Sequence, residues 1–214
     1  MPSAAFNMTQ RDREIVESLV HRVRVFSTKQ IARAWWNDAP ERDILRRLDA
    51  LSEAGLVTVY RALAHPELPL TGPVASWSPG QEPPAFGELS YRLKARWSQP
   101  PISTQCVIAT TLAGRSNGGF GGRFPRESEQ THDIHLAGVY LGIRSRRPEV
   151  IQFWRSEARI LWERRGEKRE KLPDAVLDLP TGPLVIEFGG AYSKPKLEAF
   201  HDYCDENATP YEIW

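Results

Sequence analysis

Eight of the seventeen prolines in this 214-residue chain fall between His65 and Pro101. Proline has no amide hydrogen to give and a fixed φ, so no long helix and no central strand can run across that stretch. The sequence is therefore read as one regular pattern before it and another after it.

The first pattern is helical. Thr9 and Asp12 form a start signal, a hydroxyl cap followed by an acid in the first turn. Ile15, Val16, Leu19, Val20 and Val23 then recur at helical spacing. Phe26-Ser27-Thr28 breaks the run, and Ser27 or Thr28 caps a second helix through Ile31, Ala32 and Trp35. Asp38-Ala39-Pro40 signals the start of a third, which carries Ile44, Leu45, Leu48 and Leu51 and ends at Gly55. Leu56–Ala62 alternates and is β-branched, so it is read as a strand. Three short helices followed at once by a strand predict a winged helix-turn-helix. Tyr91–Trp97 is then the second wing strand after a long tip, and Val107–Leu112 a further strand.

Arg42, Arg46 and Arg47 share a face of the third helix away from Leu45 and Leu48, and Lys29 begins the second. Such a face can lie in the major groove of double-stranded DNA, arginine forks meeting phosphates or guanine edges. A solvated basic face on a protein-docking winged helix is the competing reading.

The net charge of +1 does not choose between them. No apolar run approaches the ~20 residues that cross a bilayer, so no membrane partner is expected. Met1–Met8 lacks the charged-then-apolar order of a secretion signal. Cys106 and Cys204 stand outside any CxxC spacing, which excludes a zinc ribbon and suits a cytoplasmic protein. The glycine-rich Gly114–Arg123 has no Lys-Ser/Thr to make a phosphate loop, and is read as a linker. The predicted division is 1–112 for the first domain with its proline-rich wing, 113–127 for the linker and 128–214 for the second domain.

The second pattern opens with a helix over Glu127–Arg147. Its His132 and His135 lie one turn apart, but no further metal ligands share their spacing. Val150–Trp154 reads as a short strand or turn. Strands at Ala158–Arg164, Lys171–Leu179 and Leu184–Phe188, a helix at Lys194–Cys204 and a strand at Tyr211–Trp214 follow. The order is αβββαβ, so the chain as a whole is of the α+β or α/β class. With Thr181-Gly182 as a two-residue hairpin loop, Val176 faces Glu187 and Asp174 faces Gly189. Asp174 and Glu187 are then diagonal neighbours, Cβ atoms roughly 7 Å apart. Two carboxylates so placed can share a divalent cation.

Pro173-Asp174-Ala175, followed after twelve residues by Glu187 behind the apolar Leu184-Val185-Ile186, resembles the PD-(D/E)XK nuclease pattern. With the winged helix in front, the chain resembles the bacterial replication-relaxation family. The matching pieces are His132, Trp154 with Glu157, Pro173-Asp174-Ala175, and Ile186-Glu187-Phe188-Gly189-Gly190. The resemblance implies a restriction-endonuclease-like core and a role in plasmid or mobile-element replication, with replication or mobilisation proteins as partners. It also implies Mg²⁺ on Asp174 and Glu187, helped by Glu157, if the site is active. Gly189 stands where an active nuclease carries lysine and where the family carries aspartate. Lys194, or failing that Lys196, could supply the missing amine from the next helix. A degenerate, non-cutting site is the leading expectation and an Mg²⁺-dependent endonuclease the alternative.

Overall fold

The computed structural model describes residues 6–36, 40–165 and 172–214, a mixed α+β chain with eight α-helices and two sheets among them. Asp38 and Ala39 of the expected cap, and Lys171 of the expected strand, lie outside the described residues.

The chain folds into two compact units, one of residues 1–64 and 103–137, the other of 65–102 and 138–214. This replaces the expected cuts at 112 and 128. The proline-rich stretch is no wing tip or tether: it leaves the first unit after that unit's second strand and supplies a strand and a helix to the second.

In the first unit α1 (Gln10–His21) is capped as its sequence dictates, the Thr9 and Asp12 side chains each meeting the other's backbone amide. The two-residue β1 (Phe26–Ser27) leads into α2 (Thr28–Trp35), closed by the same reciprocal device between Ser27 and Gln30. The Gln30 amide donates to the Ile134 carbonyl at 2.7 Å. Helix α3 (Glu41–Glu53) ends where Gly55, at φ +72°, turns the chain back. There the Gly55 and Leu56 amides donate to the Ser52 and Leu51 carbonyls. β2 (Val57–Ala64) follows.

In the second unit β3 (Ala75–Trp77) precedes α4 (Phe86–Ala95). The strand expected at Tyr91–Trp97 is thus a helix. Leu89 and Leu93, one turn apart, are its buried pair, while the aromatic Tyr91 that suggested a strand is 75% exposed. Pro83 and Pro84 stand just ahead of its first turn, where proline does no harm.

The chain then re-enters the first unit as β4 (Ile102–Ala109), which pairs antiparallel with β1 and completes a sheet of order β1-β4-β2. α5 (Thr111–Ser116) follows. The glycine stretch is packed rather than free. The Phe120 amide donates to the Val20 carbonyl, and a Cβ on Gly121 would stand 2.1 Å from the Thr110 carbonyl oxygen. Only glycine permits that approach.

α6 (Glu127–Arg146) begins in the first unit and passes into the second at Gly138. A single 3-10 turn, Ile151–Phe153, leads to β5 (Trp154–Ser156). The strand expected at Ala158–Arg164 is instead α7 (Glu157–Glu163), with Ile160 buried and an Arg159–Glu163 ion pair across one turn. β6 (Ala175–Leu179), β7 (Gly182–Glu187), α8 (Lys194–Glu206) and β8 (Tyr211–Ile213) complete the order.

The second sheet runs β3-β8-β7-β6-β5, antiparallel except for the parallel β7–β8 pair. On one face Trp77, Leu89, Leu93, Val185, Leu197, Phe200 and Ile213 form a buried core. On the other, Tyr140 of α6 meets Trp154 edge-on at 5.4 Å.

Candidate functional site

Two places carry the residues of interest. The first is the outer face of α3. Arg42 and Arg46 are exposed, Arg46 with 83% of its side chain in water and only a 3.4 Å contact to Asp43 one turn back. Lys29 is exposed on α2, as is Arg33 one turn further along, which the sequence reading left out. Glu41 is exposed beside Arg42 at the start of α3, and Asp49 and Glu53 are exposed towards its C-terminal end, so the arginine pair stands between acids along the helix.

Arg47 does not belong with them. Its guanidinium is bound to both oxygens of Asp12, donates to the Asn7 carbonyl at 2.8 Å and lies over the Phe6 ring. The Asp12 side chain is fully buried. Burial alone would raise its carboxyl, but hydrogen bonds from Arg47 and Thr9 outweigh that and hold it below the usual carboxylate range. Helical spacing put Arg47 on the arginine face; the N-terminus of α1 takes it off.

The second place is the end of the β5–β6–β7 ladder. The hairpin loop is Pro180-Thr181, one residue earlier than expected, and Ala175 pairs with Ile186. Asp174 therefore stands directly opposite Glu187 rather than diagonal to it. The two-residue change in pairing preserves the parity of the faces, so the acids still share a side. Each carboxylate reaches across to the other strand's backbone. Phe188 donates its amide to Asp174 Oδ2 at 2.8 Å, and Asp174 donates its own to Glu187 Oε2 at 3.4 Å.

The remaining Glu187 oxygen accepts the Tyr192 hydroxyl at 2.7 Å, with Glu187 only 2% exposed. Burial, then the charges of Glu187 and Asp174, push the Tyr192 phenol far up, so it stays a donor. Tyr192, five residues past Glu187, gave no signal in the sequence beyond being aromatic between Ala191 and Ser193.

The lysines are arranged otherwise than expected. Lys194 points outward, 60% exposed, and pairs with Glu198 at 3.5 Å. Lys196 Nζ lies 3.3 Å from the centre of the Tyr192 ring, so of the two it is the one beside the acid pair. Glu157 begins α7, its amide donating to the Asp174 carbonyl, and its side chain is exposed.

A magnesium ion at this pair would share Glu187 with the protein's own hydrogen-bond donors. Both Glu187 oxygens accept hydrogen bonds from the protein itself, and no group of three metal-ligating side chains exists among the described residues. Gly189 lacks room for the motif lysine, because a Cβ there would stand 2.7 Å from Ile213 Cγ2 and 3.0 Å from both Leu93 methyls. The histidines form no metal centre either: His135 is buried, its Nδ1 donating to the Thr131 carbonyl at 2.6 Å, and His132 Nδ1 lies 3.3 Å from Asp133.

Comparison with family models, with curated proteins and with solved structures finds no match to this chain. Among the described residues no helix is long and apolar enough to cross a membrane.

Proposed function

We propose that this chain is a DNA-binding protein whose first unit is a winged helix-turn-helix and whose second is a nuclease-like fold that does not cut. The observation that carries the reading is the exposed Arg42–Arg46 pair on the N-terminal half of α3, the half that meets base edges when such a helix enters the major groove. The sheet order β1-β4-β2 supports it, since in a winged helix the short strand after the first helix edges the hairpin that follows the third. Lys29 and Arg33 of α2 add charge for backbone phosphates. Service in plasmid or mobile-element replication rests on the motif resemblance alone.

The test is duplex binding across a salt series. The Arg42→Ala/Arg46→Ala protein should lose about 1.8 from the log–log salt slope, roughly 0.9 for each phosphate contact given up. Its affinity at low salt should fall at least tenfold. An unchanged slope would hand α3 to a protein partner. Arg47 is left intact in this variant, because it holds the fold.

The acid pair gives a second expectation. With Mg²⁺ or Mn²⁺ the protein should leave supercoiled, linear and single-stranded DNA uncut. Cleavage that vanishes in both Glu187→Gln and Lys196→Ala would restore the endonuclease alternative, with Lys196 in the lysine role.

A further inference from the structure

The surface of α7 carries chemistry that the acid pair and the α3 face leave unused. Trp162 keeps 45% of its surface in water, and Leu161 beside it 51%. Side by side on a seven-residue helix, the two turn about half of their apolar surface to water. The Arg159 guanidinium lies 4.9 Å from the Trp162 ring centre and that of Arg165 5.8 Å, both within cation–π reach.

The neighbouring acids offset the charge of Arg155 and Arg159 but not that of Arg165. Glu163 is bound by Arg155 and Arg159, and Arg155 is bound as well by Asp178. Arg165 remains exposed at the helix end, with Arg164 before it.

An exposed indole framed by guanidinium groups is the pairing that holds unstacked bases and the phosphates between them. Duplex DNA hides its base faces and cannot use the ring. An apolar protein partner would use Leu161 and Trp162 but would bury the Arg165 guanidinium without bringing an anion to it. We propose that α7 is a contact site for single-stranded nucleic acid, with a base stacked on Trp162 and a neighbouring phosphate met by Arg165. The site lies wholly in the second unit and goes beyond the duplex-binding reading.

Fluorescence anisotropy of the full chain with labelled oligodeoxythymidine at low salt tests it, with labelled duplex measured in parallel. Trp162→Ala should weaken oligodeoxythymidine binding about tenfold, the loss of one stacked base. Trp162→Phe should keep most of the affinity, and Arg165→Ala should lower the salt slope. Duplex affinity should stay unchanged in all three, while Arg42→Ala/Arg46→Ala loses duplex binding and keeps the single strand. Thermal melting checks that each variant is folded; if Trp162→Ala is not, Trp162→Phe and Arg165→Ala decide. The proposal is overturned if the parent does not bind oligodeoxythymidine or if Trp162→Ala binds it equally well. It is overturned too if Arg42→Ala/Arg46→Ala abolishes both kinds of binding. Self-association of the parent that Trp162→Ala removes, with single-strand binding undiminished, would assign the patch to protein contact instead.

Discussion

Arg47→Ala should cost about 3 kcal/mol of stability at neutral pH, although the residue sits on a helix surface. Removing one partner of a buried ion pair typically costs about 3–5 kcal/mol, because the other charge stays behind without compensation. The lower end applies here since Arg47 keeps 27% of its side chain in water. Asp12 would lose the guanidinium on both of its oxygens, while its bond to the Thr9 amide must still hold the start of α1.

The pH dependence has a definite sign. The folded Asp12 carboxyl titrates below its unfolded value of about 3.9, so its contribution is present above that pH and lost as pH falls through the folded value. With Arg47 removed, burial is left as the largest influence and pushes the carboxyl upward. The gap between parent and variant should therefore narrow in acid. Urea melts from pH 7 to pH 3 measure it. A loss below ~1 kcal/mol at pH 7, or a gap that widens in acid, would mean that the pair is a surface contact after all.

Restoring the motif lysine should damage the fold rather than create an enzyme. In Gly189→Lys even the first added carbon meets Ile213 and Leu93 inside contact distance, and both of those side chains are fully buried. Overpacking of this kind costs about 1–3 kcal/mol and sometimes more. A charged stem directed at that core adds to it, so a loss near 3 kcal/mol is expected. The methyl of Gly189→Ala should already cost about 1 kcal/mol. A Gly189→Lys protein that melts like the parent and cuts DNA with Mg²⁺ would defeat the overpacking argument and show that the acid pair can hold the ion. One that melts early supports the overpacking argument.

Much of this was legible residue by residue. The caps at Thr9 and Ser27, the stop at Gly55 and the extents of α6 and α8 follow from short-range rules that the structure obeys. What failed was local sequence without its partners. The Tyr91–Trp97 stretch looks like a strand until Leu89 and Leu93 are seen to face one core. Ala158–Arg164 is as apolar as a strand, yet Arg159 and Glu163 join across a helical turn. The hairpin register was missed by one loop residue, since Pro180-Thr181 and Thr181-Gly182 are equally plausible turns on paper. Parity survived, and with it the placing of both acids on one side. The lysine assignment turned on the Tyr192 ring, which stands just ahead of α8 and four residues before Lys196.

The pairing of β3 with β8 sets the order in which the second unit can be built. Ser76 lies opposite Glu212, so β3 waits for a strand made more than a hundred residues later. β8 also separates β3 from β7 in the sheet, which means no shorter fragment can seat β3. Until residue 213 is free of the ribosome, β7 shows an open edge and the Trp77 ring lacks the Tyr211 ring that stacks on it. Long-range closure of this kind makes for slow folding and a window for aggregation during synthesis. The first unit has a shorter wait, since its sheet closes with β4. A cell making this protein would have the α3 arginine face assembled while the second sheet was still open.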